Sequence, residues 1–293
     1  MGVGEHYDPS VGRVVSERMV TRFRSGSRPS RRRDSLAGEE PLEIRVDGAP
    51  LAVTMRTPGN DYELAAGFLA SEGVITKAPH FGGAEYCRGP KAEGQNAYNV
   101  LNVLLGPGAE PPSTDLARNF YTTSSCGICG KASIEAIEAS STFDLAADSV
   151  EISLERLLEM PDRLRQNQKV FAQTGGLHAA AIFDPSNGDM IAFREDVGRH
   201  NAVDKVIGWA LMEGRLPLTG CVLQVSGRAS FELIQKAKMA GIPIFSAVSA
   251  PSSLAVELAT ASEMTLAGFV RGDSLVAYSR PERIKAGVRE AVI

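Results

Sequence analysis

Cysteine is scarce in this chain, with four residues in 293. So low a content excludes a secreted disulfide scaffold and fits a reducing compartment. Long apolar runs are missing too. None approaches the ~20 residues that a spanning helix needs, and the N-terminus lacks the hydrophobic stretch of a secretory signal. The chain is therefore expected in the cytoplasm, with no membrane partner. An excess of one charge is also absent. The formal net charge is −4, which gives no global case for a nucleic-acid partner. What remains is the composition of an ordinary globular protein, 43% hydrophobic and 23% charged, long enough to bury a large core in one or two domains.

The most informative segment that is present is Thr122–Lys131, which holds Cys126-Gly-Ile-Cys129 among small residues and glycines unsuited to packed core. Ala132–Ala139 follows with Ile134 and Ile137 on one helical face. Cys126 is thus expected at or just before a helix N-terminus, where peptide N–H groups favour the thiolate. Two cysteines at this spacing point to redox chemistry, sulfur transfer or half of a zinc site. A structural zinc site needs four ligands. Here Cys87 and Cys221 stand alone, and His178 and His200 would have to be recruited by tertiary contact. A thioredoxin-type site would open the first helix of a small βαβ unit, whereas this motif lies mid-chain after a serine-rich loop.

Along the chain, residues 1–40 are rich in Gly, Ser and Arg and read as a poorly ordered basic arm, solvated or docking an acidic partner. Order is expected from Pro41. Leu42–Val46 and Leu51–Met55, joined at Asp47-Gly48, read as a hairpin. Asn60 or Asp61 is placed to cap a helix from Tyr62 to Ser71. Tyr98–Leu105 reads as a strand, and Leu154–Leu164 as a helix. Val170–His178 reads as a loop. From residue 178 onward strands alternate with helices: Ala179–Phe183, Met190–Phe193, a helix to Met212, Val222–Val225, Phe231–Ala240, Ile242–Val248, a helix to Ala261, then Met264–Phe269 and Leu275–Tyr278. This predicts an α/β architecture, a mixed sheet with flanking helices and a smaller N-terminal β-rich portion. The divisions are 1–40, 41–110 and 111–293. The loops after the strands form the natural ligand edge.

Two further constellations could carry chemistry. His178 follows Thr174-Gly-Gly-Leu177, and His200 ends Glu195-Asp-Val-Gly-Arg-His200. Either could deprotonate a thiol or protonate a leaving sulfur, with Asp196 and Asp204 as orienting carboxylates or as helix caps. Ser226-Gly227-Arg228 and Ser249-Ala-Pro-Ser252-Ser253 each precede a helix. Free N–H groups, hydroxyls and arginine make a phosphate cradle there, where plain serine capping is the alternative. Arg271 adds a second cation at the same sheet edge.

Taken together, Arg56-Thr-Pro-Gly-Asn-Asp61, Gly67–Gly73, Ser125-Cys-Gly-Ile-Cys-Gly130, Thr174–His178, Glu195–Lys205, Ser226–Arg228 and Ala247–Ser253 closely resemble the formate dehydrogenase accessory sulfurtransferase, or sulfur-carrier, family, in order over residues 41 to 280. The resemblance implies a cytoplasmic sulfurtransferase that accepts persulfide sulfur from a cysteine desulfurase. It would deliver that sulfur to the bis-molybdopterin guanine dinucleotide molybdenum cofactor, so maturing formate dehydrogenase. By the same resemblance Cys126 is the persulfide carrier and Cys129 its partner. Phe269, Val270, Arg271, Gly272, Asp273 and Ser274 form the cofactor-binding stretch, GDP is a partial mimic of the cofactor, and the protein is a homodimer. The family is also similar in fold to the cytidine deaminases. Those need H-x-E followed by P-C-x-x-C. Here alanines follow His178, Ser125 precedes Cys126, and the CxxC comes before the histidine, so no metal site of that kind is expected. The alternative function is a chaperone that only holds the molybdenum cofactor, with zinc bound structurally at the CxxC.

Overall fold

The computed structural model describes residues 14–87, 97–112 and 143–287. Cys126, Cys129 and the helix expected after them lie outside the described residues.

Among the described residues, four sheets organise the chain. β1 (Val15–Arg22) and β2 (Ser30–Ala37) form an antiparallel ribbon. β3 (Glu40–Val46), β4 (Ala49–Arg56), β5 (Phe81–Tyr86) and β6 (Val100–Leu105) form a four-stranded sheet in the order β4-β3-β6-β5. β7 (Ile152–Ser153) pairs with β14 (Ile284–Lys285). The largest sheet has six strands: β8 (His178–Phe183), β9 (Met190–Asp196), β10 (Val222–Val225), β11 (Ile244–Ala247), β12 (Thr265–Arg271) and β13 (Ser274–Ser279). Their order is β13-β12-β11-β10-β8-β9, with β10, β11 and β12 parallel and the outer pairings antiparallel. Among the described residues there are six α-helices: α1 (Asp61–Ser71), α2 (Leu154–Asn167), α3 (Lys169–Thr174), α4 (Arg199–Met212), α5 (Phe231–Met239) and α6 (Ser253–Ala261). The mixed α/β architecture is the one expected.

Strand alternation puts the two faces of the large sheet into separate cores. Ala180 and Ile182, Leu223 and Val225, and Phe245 face a cluster shared with α1, α4, α5 and α6. Ala179, Ala181, Phe183, Val222 and Ile244 face a second cluster under α2. α2 supplies Leu157, Met160 and Leu164 at helical spacing, and its Ser153 hydroxyl accepts from Arg156 N at 3.3 Å. The larger cluster also takes in Leu42, Ile44 and Leu101 of the four-stranded sheet, so both sheets share one core through the α1–α4 contact. No described helix is long and apolar enough to cross a membrane.

Three local readings need correction. Of the segment 1–40 read as a poorly ordered arm, the described residues from 14 onward hold the β1–β2 ribbon. Its order comes from backbone pairing, from Val15 opposite Ala37 to Arg22 opposite Ser30, and from its base packing on α3. With little buried face it carries no apolar alternation to read. Second, neither Asn60 nor Asp61 caps α1. Asn60 occupies the N-cap with φ 57° and no side-chain bond, while the Asp61 carboxylate is taken by Arg56 at 2.8 Å. Third, Val170–Thr174 is not loop but part of α3, stopped at Gly175 with φ 70°. The Asp47-Gly48 turn is as expected, with φ values of 46° and 85° suited to a tight hairpin.

Candidate functional site

Two of the segments singled out from sequence are architectural. The fully buried Arg56 donates to both Asp61 oxygens, and Tyr86 Oη donates to Asp61 Oδ2 at 3.0 Å. Asp196 accepts from Thr57 N at 3.1 Å, Gly198 N at 2.8 Å and Asn201 Nδ2 at 3.0 Å, and forms an ion pair with Lys205 at 2.8 Å. Lys205 Nζ also donates to Thr57 O at 3.0 Å. Asp204 holds Lys236 at 2.8 Å and Ser71 at 2.9 Å. Asp196 and Asp204 are thus neither caps of the kind expected nor free orienting carboxylates. They seal the joint between the two sheets, where every buried charge has its partner.

Thr174–His178, Ser226–Arg228 and Ala247–Ser253 converge on the edge where β10, β11 and β12 end. Ser226 N donates to Ala179 O at 3.0 Å, and the Ser226 hydroxyl accepts from Ala179 N at 2.9 Å. Ser249 N donates to Gly227 O at 3.3 Å, Ser252 N to Ala229 O at 3.0 Å and Phe269 N to Ser249 O at 3.2 Å. These N–H groups are taken up in stitching the loops together. Ser252 caps α6, accepting from Ala255 N at 3.3 Å.

Beside this edge lies a cavity of ≈ 530 Å³, within the usual size range of ligand sites. One wall comes from the sheet edge: His178, Ser226, Val248, Arg271 and Gly272. The other comes from α2, α3 and the residue between them: Pro161, Asp162, Leu164, Arg165, Gln168 and Phe171. The Arg165 guanidinium lies 3.9 Å from the Phe171 ring centroid. Gly227 leaves room for His178: a Cβ there would stand 3.4 Å from Nδ1. Burial and the neighbouring Arg199 and His200 hold the His178 imidazole below its ordinary pKa, against a smaller opposing pull from Asp196.

The expected site residues therefore divide. His178, Ser226, Arg271 and Gly272 share the cavity, with Gly227 behind His178. Arg228, Asp273 and Ser274 are exposed and, with Ser249 and Ser252, stand outside the lining. Val270 is core, packed under α2, because strand alternation turns it inward. Phe269 takes a left-handed φ of 52° within an irregularity of β12, and Arg271 lies 5.9 Å from its ring. His200 ties two helix starts, with Nε2 at 3.4 Å from Ser230 Oγ and 3.8 Å from Glu232 Oε2. That contact holds the Glu232 carboxyl down at about 2. Phe171 was missed because a short helix was read as loop, and Arg165 and Gln168 because they lie just past Leu164, where the preceding helix was expected to end. The Gly175-Gly176 pair after Thr174 was the stop signal that marks the short helix. A smaller hollow of ≈ 210 Å³ at the ribbon turn has only ribbon residues around it.

The FdhD/NarQ family model matches residues 37–285, which excludes most of the ribbon. The sulfur carrier protein FdhD of Mycobacterium tuberculosis is 55% identical over 278 residues, covering 94% of this chain and 100% of that protein. Its counterpart in Streptomyces coelicolor is 54% identical, covering 94% and 97%. That of Sulfolobus acidocaldarius is 45% identical, covering 90% and 96%. The crystal structure of a protein described as a formate dehydrogenase accessory protein from Desulfotalea psychrophila shares the fold. Its TM-score is 0.72 at 24% identity, over 93% of this chain and 100% of that one. With most of its length matched by the family model, and full-length relatives above half identity, the chain belongs to the FdhD/NarQ family.

Proposed function

We propose that this protein is a sulfur carrier that takes persulfide sulfur from a cysteine desulfurase on Cys126. It would pass the sulfur to the bis-molybdopterin guanine dinucleotide molybdenum cofactor, its cargo, on the way to formate dehydrogenase. The observation that carries this reading is the full-length match to relatives named as sulfur carriers, in a chain that has Cys126-Gly-Ile-Cys129. In the first step the Cys126 thiolate attacks the terminal sulfur of the donor persulfide. A Cys126 S–S bond forms, and the donor's S–S bond breaks to leave its thiolate. In the second, Cys129 attacks the Cys126 sulfur. The Cys126–Cys129 disulfide forms, and its two electrons reduce the sulfane sulfur to sulfide, which leaves for the cargo. The cavity beside Arg271 and His178 suits the cargo's anionic nucleotide end. Arg271 offers a charge-assisted contact to phosphate there.

Intact-protein mass spectrometry after incubation with a desulfurase and cysteine tests the carrier step. The wild type should gain about one sulfur mass (~32 Da), lost on reduction, and Cys126→Ala should not. Loading that persists in soluble Cys126→Ala would overturn the assignment. So would one tightly held zinc per chain with both thiols protected from alkylation, which fits the cofactor-holding chaperone instead.

A further inference from the structure

The β1–β2 ribbon carries a concentration of positive charge that the rest of the protein lacks. Residues 14–37 hold seven arginines, two acids and no lysine, in a chain whose net charge is −4. Every residue from Thr21 to Arg33 is exposed. Eight paired positions at ~3.4 Å per residue give the ribbon a reach of about 27 Å. Arg32 and Arg33 have acids beside them, Asp34 at 2.9 Å and Glu17 at 3.3 Å. Arg22, Arg24 and Arg28 form no ion pair among the described residues. Those three gather with Ser27 and Ser30 around the hollow at the turn, where nothing of this chain balances their charge.

Apolar side chains stand among the arginines, with Met19 55% exposed and Phe23 76%. A two-stranded ribbon buries too little to be more than marginally stable by itself. Arginine, methionine and aromatic residues are the types enriched at protein interfaces, where lysine is depleted. The arginine fork matches a carboxylate with two parallel bonds. A long polyanion such as nucleic acid would run past the ribbon onto a body that is net acidic, which a folded partner need not touch.

The anchoring of the ribbon says which protein would meet it. Its base packs on α3, and a Cβ on Gly176 of the cavity lining would stand 3.3 Å from Ala37 Cβ. The Thr57 hydroxyl, beside the joint sealed by Asp196, donates to Gly38 O at 3.0 Å. The ribbon is thus fixed at the rim of the cavity, where the next holder of the cargo has to approach.

We propose that the ribbon is a docking arm for an acidic face of the protein that takes the cargo from the cavity, with Arg22, Arg24 and Arg28 pairing to its carboxylates. This rests on the reading of the protein as a sulfur carrier that serves formate dehydrogenase.

Surface plasmon resonance of the full chain against cofactor-free formate dehydrogenase tests this. The wild-type association rate should fall steeply as salt is raised. The triple variant Arg22→Glu, Arg24→Glu, Arg28→Glu should associate about tenfold or more slowly and lose most of that salt dependence. The same three positions changed to lysine should keep the fast association. Persulfide loading on Cys126 by a desulfurase, and the melting temperature, should stay as in wild type. A glutamate variant that associates as fast as wild type would overturn the proposal. A matching loss of persulfide loading would overturn it too, making the ribbon a dock for the sulfur donor. So would tighter wild-type binding to duplex DNA or to phosphatidylglycerol vesicles than to formate dehydrogenase, lost in the glutamate variant, which would assign the arginines to phosphate. If wild type gains persulfide yet binds no formate dehydrogenase, the docking proposal falls and the carrier reading stands; if it gains none, the carrier reading falls as well. Should the glutamate variant not fold, a wild-type association rate indifferent to salt is the outcome that overturns the proposal.

Discussion

Asp196 and Lys205 stand 2.8 Å apart, at 0% and 1% exposure, and join the end of β9 to the middle of α4. Asp196 lies opposite His178 in the β8–β9 register, so the pair also anchors the cavity edge. Removing the lysine leaves a buried carboxylate with neutral donors alone. Lys205→Met should therefore cost about 3–5 kcal/mol of stability. Urea unfolding measures this, and a loss below 1 kcal/mol would mean that Thr57, Gly198 and Asn201 suffice to hold the charge.

The α1–α4 crossing is set by two glycines. A Cβ on Gly67 would stand 1.8 Å from Asp204 O, and one on Gly208 1.8 Å from Glu63 O. Both contacts are to backbone, so the helices would have to separate. Gly67→Ala and Gly208→Ala should each destabilise by at least ~1–3 kcal/mol, as overpacking does. Thermal melting of either variant at the wild-type temperature would contradict this close approach.

Acid should weaken the fold in two separate windows. His178 has a folded pKa below 6.5, so the unfolded chain binds the proton more readily. Its contribution is intact above 6.5 and is lost as pH falls toward the lower folded value. Glu232 has a folded pKa of about 2 against 4.5, so its contribution is present above 4.5 and lost as pH falls toward 2. His178→Gln should flatten the first part of a stability-against-pH curve, and Glu232→Gln the second. A Glu232→Gln curve still falling as steeply as wild type below pH 4.5 would refute the second assignment.

Arg271 lines the cavity while Arg228 is exposed outside it. Losing a charged hydrogen bond typically costs ~1.5–3 kcal/mol. Arg271→Ala should thus weaken GDP binding roughly ten- to a hundredfold, and Arg228→Ala far less. Persulfide loading should survive in both. Equal losses by calorimetry would mean that the ligand extends along the loop to Arg228.

Cys129→Ala should load sulfur on Cys126 and fail to release it, since the two reducing electrons of the second step come from that thiol. Mass spectrometry with the cargo present would show the persulfide retained. Full release would mean that another thiol resolves it.

Much of the large sheet was legible because its strands are short apolar runs punctuated by Gly, Pro and Ser. Val222–Val225 falls where it was read, and β11 lies within the span read as strand. β5 was missed, because Phe81-Gly-Gly-Ala-Glu-Tyr86 offers neither alternation nor an apolar run. The candidate site was half legible. Ser226 and Arg271 were read at one sheet edge, where loops after parallel strands gather, while His178 was read apart from them and joins them only in the structure.

The sequence by itself determined the family and the α/β layering, since these rest on residue order and local spacing. Tertiary structure decided which polar residues face a ligand and which hold the two sheets together. Asp196 and Lys205 read locally like site residues, yet their partners come from about 140 positions away in the chain, near Thr57. Gln168 gave no local signal at all. The first N–H groups of α3 are taken instead by Glu195, 27 residues later on another element. Burial and pairing across such distances are properties of the packed chain, which residue order specifies only through the fold.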